Sequence, residues 1–337
     1  MRCLVLFASL LVACGGGGGT EDDDDDTPLL DKFTTTWGPV AVNPAQENTQ
    51  CVDVRLTNAA EIKVHQMHNI LGPGSHHLIV YKNDDPAATE RTTPYDCQPF
   101  TGALNLTGMI APVMITQKSD DELTLPDGVA YTFKATQMVR IEMHFINSTD
   151  SPIQATATSE FYSAAPSDIH DEANILFIGS PDIDMDPGEQ MTLEQFFTPS
   201  RAQLDLSGAK FFAITGHTHQ YGTDMQVEIA PNSGGAKTSV YAPAPFEWAE
   251  PETKAHDPEF TIPEGSTSGF NFKCSYTNTS GKQVGFGESA NDEMCFFWAY
   301  YYPSKGSHVC FHSNDFGNID ICCPDAGAQL CNMISQQ

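Results

Sequence analysis

Positive charge is scarce in this chain: 16 Lys and Arg stand against 44 Asp and Glu, a formal net charge of -28. Such a balance repels nucleic acid and anionic lipid headgroups and excludes polyanion binding. Leaving out residues 1–26 removes Arg2 and six acids, and 15 bases against 38 acids remain, so the acidity belongs to the fold and not only to the N-terminal segment. Long apolar runs are missing too. The apolar stretch that ends at Leu11 is too short for a permanent membrane span. Long segments with a 3.6-residue apolar period are absent, as is any repeat of fixed period, which argues against a helical bundle, a propeller or a solenoid. The 26 Gly and 22 Pro break the chain into short pieces, as expected of a mostly β protein.

At the N-terminus, Met1-Arg2 and a short apolar run lead to Leu11-Val12-Ala13-Cys14, after which apolar residues stop. This reads as a signal peptide over residues 1–13. Its last four residues resemble the bacterial lipobox, which implies acylation of Cys14 and a chain exported and lipid-anchored to a bacterial membrane. Five glycines and the acidic run Glu21 to Asp26 follow, and residues 14–30 are expected to form a solvated tether.

Export changes the reading of cysteine. Beyond Cys3 and Cys14, eight remain: Cys51, Cys97, Cys274, Cys295, Cys310, Cys322, Cys323 and Cys331. An even number in an exported chain points to disulfides. The C-terminal four lack the paired C-x-x-C spacing of a zinc site. Adjacent Cys322 and Cys323 make poor partners, so Cys310 is expected to pair with one and Cys331 with the other. Residues 306–337 are read as a stapled, loop-rich cap.

Between tether and cap lie short β-branched and aromatic runs bounded by Gly, Pro, Asn and Asp, among them His77 to Tyr81, Val139 to Phe145, Phe211 to Thr215 and Phe296 to Tyr302. The expected fold is all-β: two consecutive antiparallel β-sandwich, jelly-roll-like domains over residues 31–166 and 167–305, followed by the disulfide-rich cap.

Three features carry chemistry. In Gly216-His217-Thr218-His219, residues i and i+2 of a strand share a face, so both imidazoles can meet one ion; such pairs also arise by chance. In Gly72-Pro73-Gly74-Ser75-His76-His77, adjacent side chains of a regular strand point apart, and both serve one metal only where the backbone leaves strand geometry, which the Gly-Pro-Gly turn permits. His144, on another run of the same half, is a third ligand or a buried histidine satisfied by a backbone carbonyl. The third feature is Asp292-Glu293-Met294-Cys295-Phe296-Phe297-Trp298. A methionine there is core filler or, beside two imidazoles, a soft ligand that favours copper, Cu(I) above all.

In this order and spacing, His-His, a strand histidine, H-x-H and Glu-Met-Cys resemble the copper type II, ascorbate-dependent monooxygenases, over about residues 40 to 303. The resemblance implies two copper ions per chain, one held by His76, His77 and His144 and one by His217, His219 and Met294, the latter three being the catalytic set. It implies ascorbate or another one-electron reductant as co-substrate, and insertion of one oxygen atom of O2 into a substrate C–H bond. It also implies disulfides Cys51–Cys97 and Cys274–Cys295. Where the peptide-amidating branch grips a carboxylate, this chain has Thr215, Phe296 and Trp298, none of them cationic. A carboxylate would lose roughly several kcal/mol of solvation there. Glu142, where glutamine is common in the family, adds negative charge. The expected partners are therefore O2, the reductant and a small apolar or aromatic, neutral or cationic substrate, with no nucleic acid and no membrane contact beyond the lipid anchor. The competing readings are a copper-holding or copper-sensing surface protein without turnover, and a three-histidine zinc hydrolase, which leaves Met294 unexplained. His65 and His68 read as strand-surface residues, and Asn105, Asn147 and Asn278 as loop positions.

Overall fold

The computed structural model describes residues 27–97 and 109–323. Expectations for residues 1–26, Cys14 included, for Asn105 and for Cys331 lie outside the described residues. The fold is all-β, and the only helical element among the described residues is the single 3-10 turn Pro199–Ala202.

Two sheets form the first sandwich. One runs in the order Leu29–Val42, Ile153–Ala164, Ile62–Leu71, Val129–Phe133, Asp171–Glu172, with Asp120–Thr124 also paired to Ile62–Leu71. The other runs Arg91–Asp96, Glu47–Arg55, Met138–Ile146, Ser75–Asn83, Ile110–Thr116. The Cys51–Cys97 disulfide ties the second strand of this sheet to the segment just after its edge strand.

The second sandwich sets a six-stranded sheet against a four-stranded one. The six run Thr253–Phe260, Lys210–His217, Cys295–Tyr302, Asn174–Ser180, His308–Ser313, Ile319–Cys323, and the four run Gln190–Phe197, Gly269–Thr277, Gly222–Ala230, Thr238–Tyr241. The disulfide-rich C-terminus is thus a pair of edge strands up to Cys323, stapled by Cys310–Cys322, in place of the loops expected of it. Cys323 is disulfide-bonded as well. Among the described strands two pairings are parallel, Asn174–Ser180 with His308–Ser313 and Asp171–Glu172 with Val129–Phe133. The latter keeps the chain on the first sandwich as far as Ala173, whose N–H donates to Ala130 O at 3.0 Å. The first unit therefore extends past the position, 166, at which the polar stretch suggested a boundary.

Cys295–Tyr302 explains how the halves join. All eight of its residues are buried. Because side chains alternate across a strand, Cys295, Phe297, Ala299 and Tyr301 enter the second sandwich's interior. Phe296, Trp298, Tyr300 and Tyr302 instead join the core of the first sandwich, which is continuous across the interface. A strand covered on both faces has no polar alternation, which is why it reads as one aromatic run. Tyr300 closes the seam, its hydroxyl accepting from the Ile115 N–H at 3.0 Å.

Candidate metal centre

His76 and His77 open strand Ser75–Asn83, and the ladder to Met138–Ile146 slips between Ser75 and His77. This bulge follows Gly74, whose φ of +79° suits glycine. It provides the departure from strand geometry that two adjacent imidazoles require. His77 pairs in register with His144, and one ring nitrogen from each of His76, His77 and His144 lies within 4.8 Å of the others.

His217 ends strand Lys210–His217, and His219 follows in the turn, with their ring centroids 5.0 Å apart. The two sets are neighbours: His76 lies 5.8 Å from His219 and 6.3 Å from His217, and His77 lies 6.2 Å from His217, ring to ring. None of the five is more than 7% exposed. Met294, 3% exposed, directly precedes the strand that pairs Phe296 with His217. Cys295, its neighbour, is bonded to Cys274 on the facing sheet, so the disulfide pins the methionine segment across the sandwich.

Two carboxylates shape the site without having been singled out from sequence. Glu293 accepts backbone N–H bonds from His219 at 2.8 Å, Tyr221 at 2.6 Å and Met294 at 3.3 Å, so one side chain fixes both the H-x-H turn and the methionine. Burial nevertheless pushes its carboxyl up to about 7. Glu47 meets His144 Nε2 at 2.9 Å and accepts from the Ala290 N–H of the second sandwich at 3.0 Å. The hydrogen bond with His144 is the main reason its carboxyl falls to about 2. His144 is therefore satisfied by a carboxylate and not by a backbone carbonyl. Glu293 stands in the Glu-Met-Cys element, but its bonds to the H-x-H turn come from the fold, and Glu47, a Glu at a strand start, carries no motif at all. Trp248 is another unanticipated neighbour, its ring 6.1 Å from that of His76.

Thr215, Phe296 and Trp298 share the sheet face of His217, since Thr215 pairs with Trp298. Trp298 lies 6.0 Å from the His217 ring, and the Thr215 hydroxyl bonds that of Thr253 at 2.8 Å. Phe296 packs on Phe311. Glu142 is fully buried and accepts from the Tyr81 hydroxyl at 3.0 Å. Glu288, pushed up to about 8 by burial and then by Glu142, stands nearby. His65, expected at the surface, is buried at 2% exposure because its strand is covered on that side. Asn147 and Asn278 are fully buried and bind backbone carbonyls of their own turns.

Burial holds the imidazoles neutral: His76 falls to about 3 and His219 to about 4, with His77 and His217 also well below the ordinary value. Neutral rings offer lone pairs to a metal. His76 Nε2, His144 Nδ1 and both ring nitrogens of His217 are buried without a hydrogen-bond partner. Each such atom costs about 1–3 kcal/mol, a penalty that ligation relieves. The residues present therefore fit metal ions of imidazole preference.

The fold and site define an all-β protein of two sandwiches that share one buried histidine cluster. Residues 171–320 match the model of the copper type II ascorbate-dependent monooxygenase, C-terminal domain, which supports that family. The matched stretch contains His217, His219 and Met294. No curated protein matches the chain. Among solved structures, the chain is similar to cowpea mosaic virus top component, with 10% identity, 84% of this chain and 94% of that chain covered, and a TM-score of 0.36. It is also similar to a mutant of Bacillus subtilis oxalate decarboxylase, with 9% identity, 85% and 76% covered, and a TM-score of 0.19. Likeness at these scores carries no argument about function.

Proposed function

We propose that this chain is a copper- and ascorbate-dependent monooxygenase that hydroxylates a C–H bond of a small apolar or aromatic substrate lacking a carboxylate. The observation that carries the reading is the meeting of His76, His77 and His144 from one sandwich with His217 and His219 from the other in a single buried cluster, in which ring nitrogens of His76, His144 and His217 have no hydrogen-bond partner. His76, His77 and His144 would hold one copper ion, and His217, His219 and Met294 the other. Bound copper would supply one-electron redox chemistry and the activation of dioxygen, with thioether ligation favouring Cu(I).

The protein's own residues do the rest. Glu47 orients the His144 ring through Nε2 and leaves Nδ1 for the metal. Asp292 O, 3.2 Å from His219 Nδ1, accepts that proton and directs the Nε2 lone pair of the ring outward. Glu293 fixes the backbone on both sides of the second set. Trp298 and Phe296 give the His217 side an apolar wall with no cation for a substrate carboxylate. The cell-surface or periplasmic setting follows from the lipobox-like segment, and reductant, O2 and substrate are the partners.

Oxygen uptake that requires both copper and ascorbate, with a hydroxylated product found by mass search in a metabolite extract, supports this function. Tight copper binding without uptake favours a copper-holding protein, and hydrolysis by the zinc-loaded protein favours the zinc reading.

A further inference from the structure

The two sandwiches also face each other across a second cleft, of about 610 Å³. One wall carries His65 and Asp127 of the first sandwich, and the other His256, Asp257 and Glu259 of strand Thr253–Phe260. Tyr302 lies on this cleft, eight residues beyond Met294, which at ~3.3 Å per strand residue places it roughly 25 Å from the histidine cluster.

The tautomers of the two histidines follow from their partners. His65 Nδ1 lies 2.8 Å from Val129 O, and a carbonyl only accepts, so Nδ1 carries the proton and the Nε2 lone pair is left. That Nε2 has no hydrogen-bond partner among the described residues, although the residue is only 2% exposed and lines the cleft. In His256 the order is reversed: Nε2 donates to Val240 O at 2.9 Å and Nδ1 keeps the lone pair. The carboxylates Asp127, Asp257 and Glu259 accept only; Asp127 already accepts from the Thr27 N–H at 2.8 Å and Glu259 from the Tyr302 hydroxyl at 2.5 Å, which leaves their remaining lone pairs. Among the described residues no Lys or Arg lines the cleft, although the charge of Lys254, on the same strand, acts on His256. Lys210 approaches from beside it, 5.4 Å from the Tyr302 ring centroid. The wall begins at Thr27, which directly follows the six acids Glu21 to Asp26 in the chain.

A cleft rich in acceptors and free of cationic walls selects a donor-bearing cation. A bare metal ion fits it poorly: among the described residues the His76, His77 and His144 trio is the one histidine or acid group whose ligand atoms converge. The remaining lining suits an apolar body, since Phe212 and Tyr302 stand beside the acids.

We propose that this cleft binds a small organic cation, a primary ammonium on an aromatic or aliphatic body. Asp257 and Glu259 receive the charge, His65 Nε2 accepts a further N–H, and the body lies along Phe212 and Tyr302. Occupancy then bridges the sandwiches at the end opposite the histidine cluster.

Calorimetric titration of the full, copper-free protein with benzylammonium and with benzyl alcohol at neutral pH tests this. The ammonium should bind at least about tenfold more tightly than the alcohol. Asp257→Asn and Glu259→Gln together should weaken it by about tenfold or more, while His217→Ala leaves it unchanged. Equal affinity for ammonium and alcohol, no ammonium binding, or loss in His217→Ala with none in the acid variants overturns the proposal. Displacement of the ammonium by a stoichiometric divalent ion bound to Asp257 and Glu259 also overturns it. The result is independent of copper turnover, so it stands or falls apart from the monooxygenase reading.

Discussion

Glu47 Oε1 lies 2.9 Å from His144 Nε2, and the same oxygen accepts the Ala290 N–H at 3.0 Å. One carboxylate thus links a histidine of the first sandwich to a loop of the second. Glu47→Ala is expected to weaken copper at the three-histidine set by about 10–100-fold. It should also lower stability by about 1.5–3 kcal/mol, because charged hydrogen bonds are lost. Chelator competition and denaturant unfolding measure the two effects. Unchanged copper affinity would show that Glu47 serves the interface alone.

Met294 is expected to ligate the second ion. Equilibrium dialysis should find two copper ions on the wild type and about one retained tightly by Met294→Ala. Met294→His should harden that set and suppress turnover while the first ion stays. Full stoichiometry and full activity in Met294→Ala would remove the methionine from the site.

The Cys274–Cys295 bond holds the methionine segment to the facing sheet. Replacing both cysteines by serine is expected to cost about 3 kcal/mol and to release the second copper at milder chelation than the first. Equal loss of both ions would mean that the bond steadies the whole chain instead of this segment.

Asp121 gives a pH prediction with a definite sign. It is 8% exposed, and burial pushes its carboxyl up from 3.8 to about 6. A carboxyl raised in the folded state contributes stability that is complete below 3.8 and lost as pH rises through about 6. The displacement converts to about 3 kcal/mol. Asp121→Asn should therefore gain on the wild type between about pH 4 and pH 6, measured as the difference in unfolding free energy. A constant difference over that window would contradict the assignment.

Much of the site was legible because its geometry is local. The H-x-H rings do lie close, 5.0 Å apart, although the strand ends at His217 and His219 lies beyond it, and the Gly-Pro-Gly turn foretold the irregularity that brings His76 and His77 together. The two disulfides implied by the family resemblance, Cys51–Cys97 and Cys274–Cys295, are both formed. Legibility ended where the fold brings distant residues together. Glu47 reaches Ala290 across 243 residues of chain, and no periodicity announces such a pair. The C-terminal cysteines were read as stapling loops because four of them crowd into residues 310–331, and strands His308–Ser313 and Ile319–Cys323 are short. Their β character comes from joining the sheet edge beside Asn174–Ser180, a long-range pairing invisible in the local pattern. His65 was misplaced for the same reason: its burial comes from packing and not from its neighbours in sequence.

Joint action of both histidine sets on O2 and a C–H bond is the centre of the proposed function. The most direct measurement supplies isotopically labelled dioxygen and ascorbate to the copper-loaded protein with a phenylalkylamine, and reads the product by mass spectrometry. The expected result is one labelled oxygen atom per product, little reaction with a glycine-extended peptide, and loss of labelling in both His76→Ala and His217→Ala. Labelled product at wild-type rate from either variant, or two-copper protein that yields none with any substrate in a broad extract, would contradict it.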